Sequence, residues 1–311
     1  MKNLKYTIIA ACLIALISVS SCKKNGIDAA PVKTDDGTPP TTMKEKWLDR
    51  NNVLNRTFYD DEIAVYVADD ADSTIKWWRP TINKVWKYTK ENYGYFGEFK
   101  RLNIAVHGTQ YIPGGYFMGQ PLGYPDPSTG HKNVIEIDAA NWNDPIMIAV
   151  MTHEIGHIVE GASDRVQGSP SFNIWGDSKW QDIFIYDVFL GLKMNAEATA
   201  WYNQYQDDVV KYPRPGTQWF KNWWIPIYTQ HGKTALLVKY FKLLADNFPK
   251  TKNSNGYDEF TRSMNMGEFI HFWSGAAGVD LKAQATIAFG WTMEWEQQLK
   301  NAKEDFPNVK Y

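Results

Sequence analysis

The chain of 311 residues is poor in cysteine, with only Cys12 and Cys22. From residue 23 onward there is none, so no disulfide braces the fold and no thiolate is available to a metal. Charge of one sign is not in excess either: 33 Lys and Arg stand against 35 Asp and Glu, a formal net charge of −2. Such a balance offers no basic surface, and no nucleic-acid partner is expected. No internal repeat is visible. Long apolar runs are missing apart from Tyr6 to Val19, which is too short for a comfortable membrane span.

That run is preceded by Lys2 and Lys5, the pattern of a targeting segment rather than part of a fold. Val19-Ser20-Ser21-Cys22 resembles the lipobox of bacterial lipoproteins. The resemblance implies that residues 1–21 are removed as a signal peptide, that Cys22 is acylated, and that the chain is anchored to a lipid bilayer of the cell envelope. An ordinary cleaved secretory signal is the alternative. Residues 23–45 are rich in Lys, Asp, Thr, Pro and Gly. With so little to bury, residues 22–45 are expected to be a flexible tether. Residues 46–311 then form the folded part, one large domain or two closely packed ones.

Its most informative stretch is Met151-Thr152-His153-Glu154-Ile155-Gly156-His157-Ile158-Val159-Glu160-Gly161. Asp144 is a good N-cap, Pro145 fits the first helical position, the apolar residues from Ile146 to Val159 suit a largely buried helix, and Gly161 suits its end. On a helix, His153 and His157 lie one turn apart on one face. Two imidazoles so placed can grip one Zn²⁺, and Glu154 beside them can take a proton from a metal-bound water. HExxH on a helix therefore proposes a zinc hydrolase.

The rest of the chain divides at this helix. Before it, Ile63 to Val67, Leu102 to His107 and Asn133 to Asp138 read as strands, with a helix between Ser73 and Tyr93 interrupted or started by Pro80. After it, Gly161 to Asp177 reads as a loop. Helices then follow at Lys179 to Leu190, Asn195 to Val210, Thr217 to Tyr228, Thr234 to Asn247, Gly267 to Ala277, Asp280 to Phe289 and Met293 to Asp305. His107 and His131 are expected to belong to strand-end or loop structure.

A catalytic zinc needs a third protein ligand. Glu160 shares the helical face but lies ~10 Å along the axis from His153. Asp164 follows Gly161 in a way that resembles the metzincins, although both stand one residue later than in that pattern. Glu197, in Asn195-Ala196-Glu197-Ala198-Thr199-Ala200, matches a third pattern. From Leu102 to Tyr205 the chain resembles the gluzincins, the thermolysin-like zinc peptidases. The resemblance implies that Glu197 is the third ligand, on a helix packed against the motif helix, with Asp164 as the alternative. It also implies an oxyanion-stabilising residue, for which His231 and Tyr202 are the first candidates and His271 and Tyr228 further ones. A sheet edge for substrate backbone would be Ile135 to Asp138 or Gly114 to Met118.

The expected fold is α+β and zincin-like. A small mixed sheet with the motif helix (46–161) precedes a mostly helical part (162–311). The expected function is zinc-dependent hydrolysis of peptide bonds in proteins, peptides or glycoproteins. The alternative is a glycan- or peptide-binding lipoprotein on the same scaffold with little or no hydrolase activity. That alternative draws on 14 Trp among 15% aromatic residues, most of which sit in apolar helical patterns that suit a core.

Overall fold

In the amino-terminal half the elements follow as β1 (Thr42–Lys44), β2 (Val53–Tyr59), β3 (Ile63–Val67), α1 (Arg79–Tyr93), β4 (Leu102–His107), β5 (Gln120–Leu122), β6 (Asn133–Asp138) and α2 (Ile146–Ala162). The computed structural model describes residues 36–47, 51–94, 96–108, 120–122, 127–138 and 144–311. Six strands form one sheet in the order β1-β2-β3-β4-β6-β5. β3, β4 and β6 run parallel at its centre, while β1, β2 and β5 pair antiparallel.

The central strands are buried on both faces, which is why β3 reads as a continuous apolar run and β4 and β6 are largely apolar. Val65, Ile104 and Ile135 point into the main core with α1 and α2. Ala64, Tyr66, Ala105 and Val134 point to the other face, where Leu54 and Trp47 cover them.

That second face corrects the expected tether. β1 pairs with β2, and Asp36 accepts the backbone N–H groups of Lys100 and Arg101 at 3.0 and 2.5 Å. Glu45 is fully buried. The fold has therefore begun by residue 36. Composition hid this because a short edge strand holds its place by backbone pairing and needs few apolar side chains.

α1 starts at Arg79, with Pro80 in its first turn. At the start of α2, the Asp144 carboxylate accepts the Ile146 N–H at 3.0 Å. The helix passes Gly161 and ends at Ala162, where Ser163 Oγ donates to the Val159 carbonyl at 2.6 Å. The left-handed residues after it are Asp164 and Arg165, with φ of 52° and 64°.

The carboxy-terminal half contains β7 (Val166–Gln167), α3 (Phe172–Trp175), α4 (Lys179–Gly191), α5 (Asn195–Tyr205), α6 (Ile225–Gln230), α7 (Thr234–Asn247), β8 (Lys250–Lys252), β9 (Asp258–Phe260), α8 (Met266–Ala277), α9 (Lys282–Phe289) and α10 (Met293–Asp305). A π-helical turn, Phe220–Trp224, runs into α6. β7, β9 and β8 make a small second sheet. One core runs from β3 to Val309, so the two halves share their interior.

Aromatic rings dominate that interior. Trp224 packs against Trp175 and Trp180 on one side, while Trp223 packs against Phe269 and Phe289 on the other. Adjacent helical residues face different ways, and both are buried because their helix is enclosed. Among the described tryptophans only Trp77 is exposed. No helix of the described residues is long and apolar enough to cross a membrane.

Candidate metal centre

α2 turns Met147, Met151, Ile155, Ile158 and Val159 into the core. Between Met151 and Glu160 only His153 and His157 keep partial exposure. Their Nε2 atoms lie 3.1 Å apart and their rings meet edge to face at 73°. Two imidazoles bound to one zinc at ~2.0 Å in near-tetrahedral geometry hold their nitrogens about 3.3 Å apart. The pair is thus preset to within a few tenths of an ångström.

The ring of His157 is fixed from behind. Its Nδ1 lies 2.8 Å from Gln181 Nε2 and 3.4 Å from Glu160 Oε2. Glu160 is itself held: Ser169 Oγ and Trp175 Nε1 donate to Oε1 at 2.7 and 2.6 Å, and Gln181 Nε2 donates to Oε2 at 2.8 Å. Gln181 Nε2 is a donor and gives its hydrogen to Glu160, so when the proton of His157 sits on Nδ1 it is Glu160 that accepts it, and Nε2 is left free for a metal. Gly156 makes the arrangement possible. A Cβ there would lie 3.0 Å from Phe184 and 3.2 Å from the Gln181 side chain, so the glycine lets α4 approach α2. Trp180 Nε1 then reaches the Gly156 carbonyl at 3.2 Å.

Electrostatics separate the two histidines. Burial, with a smaller effect of His157, pushes His153 down to about 3. Burial also pulls on His157, but the hydrogen bond and charge of Glu160, with Glu154 and Asp177, outweigh it and hold this imidazole above its ordinary value. Glu154 is 5% exposed, and its Oε2 has no hydrogen-bond partner among the described residues. Burial pushes its carboxyl up to about 7; His157 opposes this and Asp177 adds to it. An unpaired buried carboxylate oxygen costs stability, which marks a group held ready for another purpose.

Sequence reasoning missed Asp177. It lies between α3 and α4, with Oδ1 3.8 Å from His157 Nε2 and a side chain 80% exposed. Gly176 before it has φ 66°, and a Cβ there would come within 2.6 Å of the Tyr212 hydroxyl oxygen. Only glycine fits that turn, and it brings Asp177 beside His157. A lone carboxylate in a Gly- and Ser-rich loop between two apolar helices was the available signal.

The other expected residues lie elsewhere. Glu197 is exposed on α5. That helix packs on α4, where Trp201 Nε1 donates to the Asp182 carbonyl at 2.9 Å and Trp201 meets Phe189. α4 turns Trp180 and Gln181 toward α2, so α5 meets it on a different face and Glu197 is not brought to the histidines. Asp164 is exposed and its charged neighbours are Lys242, Asp246 and Lys250. The helix runs past Gly161, so the chain does not turn back there as the metzincin resemblance requires.

Glu160 acts behind His157. Tyr202 packs against Tyr186 and Phe220, and His231 closes α6. Tyr228 donates to Asp187 at 2.7 Å, and His271 lies by Tyr311 and the Phe306 carbonyl. Ile135 to Asp138 belong to β6, an interior strand; the edge beside it is β5. Gly114 to Met118 and Cys22 lie outside the described residues.

No protein-family model matches the chain, and no curated protein is similar to it in sequence.

Proposed function

We propose that this chain is a zinc-dependent hydrolase of zincin-like architecture that cleaves peptide bonds in proteins, peptides or glycoproteins. His153 and His157 hold the ion, Asp177 supplies the third ligand, and Glu154 is the general base. The carrying observation is the 3.1 Å convergence of the two Nε2 atoms beside a buried carboxylate with an unpaired oxygen. The ion, when bound, lowers the pKa of a water toward ~7 and polarises the scissile carbonyl.

The chain's own residues do the rest. Glu154 takes the proton from the attacking water and returns it to the leaving amine. Its raised affinity for a proton suits both steps. Burial keeps His153 neutral, the form in which an imidazole binds a metal. Glu160 and Gln181 fix the ring of His157. β5, the edge strand, packs on α2, and its backbone suits an extended substrate lying along the sheet. In the same reading Cys22 carries the lipid that anchors the chain to the envelope, and Cys22→Ser should release it from membranes; unchanged partitioning into the detergent phase would refute the anchor.

The glycan- or peptide-binding alternative drew on the tryptophans, and of the described ones all but Trp77 are buried or half-buried. Comparing the full chain with His153→Ala/His157→Ala tests the hydrolase. The variant should bind one equivalent of zinc fewer and lose peptide hydrolysis. Equal zinc content in the two proteins would remove the motif as a metal site.

A further inference from the structure

The central sheet has a second buried cluster of metal-binding side chains, on the face turned away from α2. His107 closes β4 and lies on the same face as Ala105, while Glu136 on β6 shares the face of Val134. Glu45 reaches them from the segment after β1. The three residues are 2, 5 and 0% exposed, in the order His107, Glu136, Glu45. His107 Nε2 lies 2.8 Å from Glu45 Oε1 and 3.1 Å from Glu136 Oε1. One ligand atom from each residue falls within 4.8 Å of the other two.

The outer oxygens are anchored separately. Asn52 Nδ2 donates to Glu45 Oε2 at 2.6 Å, and Trp47 Nε1 donates to Glu136 Oε2 at 3.2 Å. Each carboxylate thus has one oxygen held by a donor and the other turned to the imidazole. This is how outer groups orient metal ligands.

We propose that Glu45, His107 and Glu136 form a structural site for a first-row divalent cation, which clips the amino-terminal segment onto the sheet. One imidazole and two carboxylates suit zinc or manganese. The two positive charges would balance the two buried carboxylates. A metal at ~2.0–2.2 Å from each ligand atom asks the two carboxylate oxygens to part from the His107 nitrogen by only a few tenths of an ångström. Glu45 and Trp47 join a polar stretch to the core at this point, so binding couples directly to the docking of residues 36–47. The site stands on residues separate from the motif and does not depend on the hydrolase reading.

The test uses the full chain carrying His153→Ala/His157→Ala, dialysed against Zn²⁺ or Mn²⁺. It should retain about one equivalent of one of these ions, and its melting temperature should rise by about 5 °C at saturating metal. Adding Glu45→Gln and Glu136→Gln should abolish both effects. Should those variants fail to fold, X-ray absorption of zinc in the double-histidine variant decides. One imidazole with oxygen ligands supports the site, and two or more imidazoles overturn it. Absence of bound ion with an unshifted melting temperature would overturn it too, leaving a buried ion triad. So would metal retained regardless of the glutamates.

Discussion

Two histidines one helical turn apart leave little freedom for what can lie between their Nε2 atoms. The α2 backbone sets their spacing, and Glu160 and Gln181 set the tilt of one ring. Such local relations were readable in the sequence, because i and i+4 geometry needs no tertiary information. The proposed third ligand was not, because it depends on how a loop returns to the helix. Asp177 is placed by a glycine turn packed on Tyr212, and neither contact has a sequence period. Asp177→Ala should therefore lower zinc affinity by orders of magnitude, whereas Glu197→Ala and Asp164→Ala should leave it within a few-fold. Zinc titration of the three variants checks this, and loss of zinc in Glu197→Ala alone would restore the gluzincin ligand set.

Asp187 shows a different use of a buried carboxylate. Its Oδ2 accepts Tyr88 and Tyr93 at 3.0 and 2.7 Å, and its Oδ1 accepts Tyr228 and Thr234 at 2.7 and 2.5 Å. Burial still holds its carboxyl above the ordinary range, the hydroxyl donors only partly offsetting it. A raised folded-state pKa means that stability from this group is greatest below the unfolded value of ~3.9 and declines as pH rises toward the folded value. Asp187→Asn does not titrate. The stability difference should therefore shift toward the variant as pH rises above the unfolded value of ~3.9, read from urea midpoints. A difference that stays flat, or moves toward the native chain, would contradict the assignment.

At the scale of elements, burial decided what could be read. β3, β4 and β6 are buried strands whose apolar residues mark them, and they stand where their sequences placed them. β1, β8 and β9 are short, polar and partly exposed, and nothing in their side chains announces a strand. α7 and α10 begin and end where their periodicity does. α5 stops at Tyr205, short of Val210, because Val210 pairs with Thr217 instead.

Close helix contacts also leave a mark that only the structure explains. Gly267 in α8 lies so near α10 that a Cβ would come within 2.2 Å of the Gln298 and Leu299 backbone. Backbone cannot yield as a side chain does. Gly267→Ala should cost at least about 2 kcal/mol despite alanine's better helix propensity. Chemical denaturation measures it, and a neutral or stabilising result would mean the two helices part readily.

Across the whole molecule, the expected division at residue 161 is a change of composition rather than a boundary. The sheet half and the helical half share one core, and α2 packs against both β6 and α4. The motif helix is thereby clamped from two sides, which suits a centre that must hold two rings still. The amino-terminal segment completes the other side of the sheet. Removing residues 36–47 strips Trp47 from that face and should destabilise the fold by about 3 kcal/mol or more, relative to a chain that begins at residue 36. Equal melting of the two would return the segment to the role of a tether.

The central claim is that α2 carries a hydrolytic metal centre with Glu154 as its base. The most direct measurement is cleavage of an unbiased peptide library by the zinc-loaded full chain, set against Glu154→Gln at matched zinc content. The account predicts cleavage by the native chain, loss on chelation with recovery on adding zinc, and a rate at least ~10²-fold lower in the variant. Equal cleavage by the two proteins, or none by the zinc-loaded native chain, would contradict it.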